Sequence, residues 1–222
     1  MKELIKHLSN CITDERLDLF QKNLLNRTKY LTIVLENIYQ PLNASAVLRS
    51  ADCFGVQDVH VIENYNEFSP DREVAMGSSN WLTINRYNQE ENNSAHCITH
   101  LKNQGYRIIA TVPGNNIQSL DSLDLSKGKI ALLFGTEMEG LSNEAQEMAD
   151  ELVTIPMYGF TESFNLSVSA AICLHQLRTK LEKSDFDWKL NEEEKDQVML
   201  QWLRYSIDRS EIVEKDFLQN RI

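Results

Sequence analysis

The sequence predicts an α/β fold: a parallel sheet with helices on both faces. Three observations carry that reading. Apolar, β-branched runs recur along the chain, namely LTIVLE (31–36), DVHVIE (58–63), YRIIATV (106–112), KIALLFG (129–135) and ELVTIPM (151–157). They are continuous instead of alternating, as strands buried on both faces are. Between them lie segments with apolar residues at helical spacing, so strands and helices alternate.

The elements follow in order. Residues 2–9 and 14–25 read as short amphipathic helices, the second capped by Thr13 or Asp14. After the first strand, 43–54 has helical spacing in Ala46, Val47, Ser50, Ala51 and Phe54, and Gly55 stops it. A polar loop (64–80) precedes TINRY, a short strand. Residues 94–104 form a helix ended by Gly105. Ser142 begins another, with Glu144 and Glu147 suiting its dipole. Asn165 to Leu181 is a long helix, 183–196 a polar linker, and 192–220 one or two terminal helices carrying Trp202, Leu203, Ile207, Ile212 and Val213. The chain thus divides into an N-terminal helical extension (1–29), a central α/β domain (30–182) and a C-terminal helical extension (183–222), without internal repeats.

Of the 222 residues, 42% are apolar, enough for a sizeable core. No run of about 18 apolar residues suggests a membrane span. The N-terminal MKELIKHLSNCITDE lacks the apolar stretch of a secretory signal, so a cytoplasmic location is expected. Cys11, Cys53, Cys97 and Cys173 are scattered, which argues against a disulfide framework or a zinc knuckle and fits reduced thiols. The net charge of −11 weighs against broad nucleic-acid binding. Residues 1–30, however, carry six Lys/Arg against four Asp/Glu, so an RNA contact must lean on Lys2, Lys6, Arg16, Lys22, Arg27 and Lys29.

Three segments carry candidate chemistry, because polar residues follow apolar strands and ligands of open α/β sheets bind at the strands' carboxyl ends. In NIYQPLNASAVLRSADCFGV (37–56) the candidates are Asn43 and Arg49, which also read as a helix cap and a surface arginine. In LLFGTEMEGLS (132–142), Gly135 permits close backbone approach, and Glu137 and Glu139 follow. No Lys-Ser/Thr pair makes it a Walker loop. In IPMYGFTESFNLSVSAA (155–171), Ser163 and Asn165 precede a helix and also read as its caps.

Together, in this order, Asn43 with Arg49, the FGTE–EGLS block, and IPM followed by SFNLSVSAA resemble the three motifs of the TrmH/SpoU RNA 2′-O-ribose methyltransferases, within the SPOUT superfamily. The resemblance spans roughly residues 30–181. It implies a sheet whose C-terminal part forms a deep trefoil knot, a homodimer with a shared active site, and S-adenosylmethionine as cofactor. It implies cofactor contacts, largely through backbone, at Thr111, Gly135, Ile155 and Phe164; most family members have Leu where Phe164 stands. The implied catalytic positions are Asn43, Arg49, Glu137, Ser163 and Asn165. The family proposal makes the arginine the base. A guanidinium is effectively always protonated, so a phosphate clamp is the other role open to Arg49. The helical extensions and the lack of a separate N-terminal RNA-binding domain favour the D-loop guanosine of transfer RNA as target. Other targets left open are 23S ribosomal RNA and the transfer RNA wobble nucleotide, and a non-catalytic RNA-binding factor would be a different class.

No metal is expected. His96 and His100, four apart, read as exposed helix residues; His7, His60 and His175 read as structural, and Trp81, Trp188 and Trp202 as packing anchors.

Overall fold

The computed structural model of the protein describes residues 1–114 and 116–219. The expected terminal helix up to 220, and the extension's end at 222, reach residues outside that set.

In chain order the elements are α1 (Lys2–Ser9), α2 (Asp14–Leu24), β1 (Leu31–Glu36), α3 (Pro41–Cys53), β2 (Asp58–Ile62), α4 (Arg72–Ala75), β3 (Thr83–Tyr87), α5 (Asn93–Asn103), β4 (Arg107–Thr111), β5 (Gln118–Ser119), β6 (Ile130–Phe134), α6 (Asn143–Met148), β7 (Glu151–Thr154), α7 (Leu166–Glu182), α8 (Glu192–Ser206) and α9 (Ser210–Gln219). The described residues form two compact units. One comprises Met1–Thr28 and the chain from Lys189 onward, the other Lys29–Trp188.

The larger unit holds a seven-stranded sheet in the order β3-β2-β1-β6-β4-β7-β5, with every pairing parallel. Successive strand residues point to opposite faces, and two cores result. Ile33, Leu35, Val59, Val61, Ile109, Leu132 and Phe134 pack with α3 (Val47, Leu48, Ala51) and α7 (Ala170, Cys173, Leu174, Leu177). Their alternates Val34, Ile62, Ile108, Ala110, Ala131 and Leu133 pack with α5 (Cys97, Ile98, Leu101) and α6 (Ala145). Helices therefore cover both faces, and β1, β2 and β6 read as unbroken apolar runs because neither of their faces meets water.

Local chemistry sets the boundaries. Thr13, not Asp14, caps α2. Pro41 opens α3 at its first turn, where a missing N–H costs nothing. Gly55, at φ 73, follows α3 in the left-handed region. Two features depart from expectation. The polar stretch 64–80 contains α4 and a 3₁₀ turn at Ser78–Asn80. The two-residue β5, paired with β7, is too short to leave a pattern in the sequence.

In the smaller unit, α1 and α2 pack with α8, and α9 with α1 and α8. Trp202 is 1% exposed and meets Phe20 at 5.4 Å between centroids. The Arg27 guanidinium lies over the same indole at 5.2 Å and is itself buried, which removes it from the expected phosphate contacts. In the larger unit Lys29 is paired with Asp58 at 3.4 Å. Lys2, Lys6 and Lys22 remain exposed. No helix among the described residues is long and apolar enough to cross a membrane.

The remaining histidines and tryptophans mostly pack. Trp188 is buried beneath the Arg178 guanidinium, whereas Trp81 is partly exposed. His96 and His100 are exposed and border the Tyr87 ring. His60 on β2 is buried, with Nδ1 3.0 Å from the Tyr87 hydroxyl. Burial, aided by the charges of His100 and Lys29, holds His60 near a pKa of about 3. Its folded state stays neutral while the unfolded chain takes up a proton below about pH 6.5. Stability should therefore be unaffected above that pH and fall by about 1.4 kcal/mol per unit below it from this residue alone. In His60→Gln, urea midpoints compared between pH 7 and pH 5 should fall less steeply than in the parent chain; equal slopes would reject the assignment.

Candidate active site

The strand order reverses beside β1. From β1 the chain moves outward through β2 and β3, then returns so that β4 lies beyond β6. Loops leaving such a reversal diverge and open a crevice at the carboxyl edge. Asn43 follows β1, Glu137 follows β6 and Asn165 follows β7, so three distant segments reach one place.

Their contact begins with a helix terminus. Asn165 is the N-cap of α7: its Oδ1 accepts from the Ser167 N–H at 2.9 Å, the Ser167 hydroxyl at 2.6 Å and the Val168 N–H at 3.4 Å. With the oxygen so engaged, the Asn165 Nδ2 donates outward, to Asn43 Oδ1 at 3.0 Å and to Glu137 Oε1. Asn43 then faces Gln40 with its own Nδ2, which donates to Gln40 Oε1. Gln40 Nε2 donates in turn to the Tyr39 hydroxyl at 3.4 Å. Glu137 also accepts from the Leu166 N–H at 3.4 Å. The amides form one directed chain. Its direction follows from the cap, because reversing any link would set donor against donor.

Asn43 is not the cap of α3. Gln40 occupies that position, without a capping side-chain bond, and Asn43 lies in the first turn, 8% exposed. For Asn165 both readings hold, since one side chain caps α7 and joins the site. Ile38, Tyr39, Gln40, Asn43, Thr136, Glu137 and Leu166 line a shallow, open cleft.

Other expected residues stand apart from this chain. Ser163 is exposed and makes no hydrogen bond among the described residues. Arg49 is exposed on α3, likewise with no partner among them. Six residues of α-helix rotate a side chain by about 240°, so Arg49 and Asn43 leave different faces of α3. Thr111, Gly135 and Ile155 end or follow β4, β6 and β7, which are neighbours in the sheet. The Thr111 hydroxyl donates to the Leu133 carbonyl at 2.7 Å. Phe164 is 41% exposed. Gly135 does admit close backbone approach, but from its own loop. A Cβ there would lie 2.1 Å from Gly140 C and O. Thr136 and Gly140 exchange both N–H···O bonds at 3.0 Å, closing the turn that presents Glu137.

The sequence reading missed Gln40 and Glu36. Glu36 had a visible signal, a carboxylate ending an otherwise apolar run. It is 1% exposed and accepts from the Ser94 hydroxyl (2.5 Å), the Ser142 N–H (2.8 Å) and the Ser142 hydroxyl (2.8 Å). Burial pushes the Cys173 thiol up to about 12, so it is no nucleophile. The described residues contain no group of three His, Cys, Asp or Glu able to hold a metal.

A doubly wound parallel sheet with a polar amide chain at its carboxyl edge defines an α/β ligand-binding scaffold with a solvent-open site. Residues 30–175 match the SpoU rRNA Methylase family, and the chain belongs to that family. Among relatives, it is 42% identical to a tRNA (guanosine(18)-2′-O)-methyltransferase of Borreliella burgdorferi, over 93% of each chain. It is 32% identical to the enzyme of the same description from Thermus thermophilus, over 86% of this chain and 97% of that one. The crystal structure of an A. aeolicus TrmH/SpoU tRNA modifying enzyme superposes with a TM-score of 0.78 at 26% identity, over 88% of this chain and 98% of that one.

Gly135→Ala tests the loop geometry. Backbone on both sides must move, so urea denaturation should show a loss of roughly 2 kcal/mol or more. An unchanged midpoint would mean that the turn does not close against Gly135.

Proposed function

We propose that the chain is a tRNA (guanosine(18)-2′-O)-methyltransferase that uses S-adenosylmethionine. The observation that carries this reading is the 42% identical relative of that description, matched over 93% of both chains.

The residues present suit the donor. Its sulfonium is cationic, and Glu137 offers a carboxylate at the cleft. Ile155 and Phe164 offer apolar surface, and the adjoining ends of β6, β4 and β7 offer backbone groups at Gly135, Thr111 and Ile155. When bound, the cofactor would supply an electrophilic methyl group for a ribose 2′-hydroxyl. Asn43 and Asn165 hold the polar wall that orients the ribose, and Glu137 anchors the wall; Ser163, exposed two residues before Asn165, is proposed to join it when substrate is bound. Arg49, permanently charged, clamps the adjoining phosphate.

Because Arg49 leaves α3 on a different face from Asn43, we assign it to the site of a second copy in a homodimer. The C-terminal part of the domain is proposed to thread as the trefoil knot of the family. The helical extensions (1–29 and 183–222) are proposed as RNA-binding additions to the methyltransferase domain (30–182), with Lys2, Lys6 and Lys22 meeting phosphates. The setting proposed is the cytoplasm.

Purified protein incubated with methyl-labelled S-adenosylmethionine and a tRNA transcript should place one methyl group on G18, and none when G18 is already 2′-O-methylated. Methylation at the wobble position or on 23S rRNA fragments instead would replace the target. Failure to label any RNA would overturn the enzyme reading.

The shared site has its own test. Arg49→Ala and Asn165→Ala proteins should each lose at least about 100-fold in kcat/KM, a loss within reach of one positioned polar group. Unfolded and refolded together in equal amounts, they should recover about a quarter of parental activity, since half the symmetric dimers are mixed and each carries one intact site. No recovery would place both residues in one chain's site. An Arg49→Lys protein turning over normally would remove the planar fork from the argument.

A further inference from the structure

We propose that Glu36 is a positioning residue for methyl-donor binding, acting through the 135–142 loop; this rests on the function proposed above. Glu36 ends β1 and touches none of the amides of the cleft. It is buried, and no Lys or Arg pairs with it among the described residues. A buried carboxylate without a cation costs several kcal/mol unless donors surround it. Here the donors are chosen. Oε2 accepts the Ser142 N–H, and Oε1 accepts both the Ser142 and Ser94 hydroxyls. Ser142 closes the loop that begins at Gly135 and carries Glu137, and its hydroxyl caps α6 by accepting the Ala145 N–H at 3.1 Å. Ser94, in the first turn of α5, accepts from Asn64 Nδ2 at 2.8 Å.

The early part of the loop is held by its own bonds, Thr136 with Gly140 and the Glu139 N–H to the Thr136 hydroxyl. The two Glu36–Ser142 bonds tie its far end to β1. They therefore fix how the turn bearing Glu137 stands over the ends of β1 and β6. An amide replaces this carboxylate poorly. In one orientation its NH₂ would face the Ser142 N–H, which cannot turn away. In the other its NH₂ meets both hydroxyls as acceptors only if they turn their own protons away, while each already accepts a bond, Ser142 from the Ala145 N–H and Ser94 from Asn64 Nδ2.

The test uses the full-length protein and its tRNA substrate, with the parent chain assayed alongside. An inactive parent would defeat the function reading before Glu36 is reached. In Glu36→Gln, the Kd for labelled S-adenosylmethionine in equilibrium dialysis, and with it the KM, should rise about ten-fold, the equivalent of roughly 1.4 kcal/mol, with kcat and the KM for tRNA within two-fold. Ser142→Ala, which removes one of the same bonds, should move the same parameter, and the double variant should be no worse than Glu36→Gln alone. Ser94→Ala, on the α5 side, should leave the cofactor KM unchanged. A fall in kcat with unchanged KM in Glu36→Gln, or an equal rise in KM in Ser94→Ala, would show a merely structural carboxylate and overturn the proposal. Should Glu36→Gln fail to fold, Ser142→Ala and Ser94→Ala decide it by the same contrast.

Discussion

The site depends on where one oxygen points. An α-helix leaves its first N–H groups without partners, and the Asn165 Oδ1 satisfies those of Ser167 and Val168 in α7. Because that oxygen is committed, the nitrogen of the same amide faces outward, and the direction of every following bond through Asn43 and Gln40 is settled. A hydrogen-bond chain with a fixed direction presents a defined pattern of donors and acceptors to a ligand. The backbone of one helix thus supplies the polarity of a site assembled from three loops.

The sheet supplies the convergence. Burial on both faces lets apolar runs form its strands, and the reversal of strand order beside β1 brings the loops after β1, β6 and β7 to one edge. The same burial removes other reactive groups from consideration. His60 is kept neutral within the sheet. Burial likewise keeps the Cys97 thiol on α5 protonated by raising its pKa.

The strands and long helices were legible because continuous apolar runs and helical spacing report burial directly. β5 and α4 were not, since two or four residues carry no period and form because neighbours are already in place. In the site, Asn43, Glu137 and Asn165 were legible through their motifs, and the structure joins them. Their roles were less so: Asn43 also read as a helix cap, and Pro41 had already moved the helix start to Gln40. Gln40 carries no motif, and it enters the site only because Asn43 needs an acceptor. Arg27 looked like a phosphate contact by charge alone, yet it lies over Trp202. Charge can be counted along a chain, but which charges face water depends on packing.

The dual use of Asn165 couples two things that most proteins keep separate. Fraying of the first turn of α7 would free the oxygen that orients the amides, so local melting of that helix end and disorder of the site are a single event. Heat should then silence the protein while its sheet is still intact, and a ligand that grips the amides would in turn pin the helix.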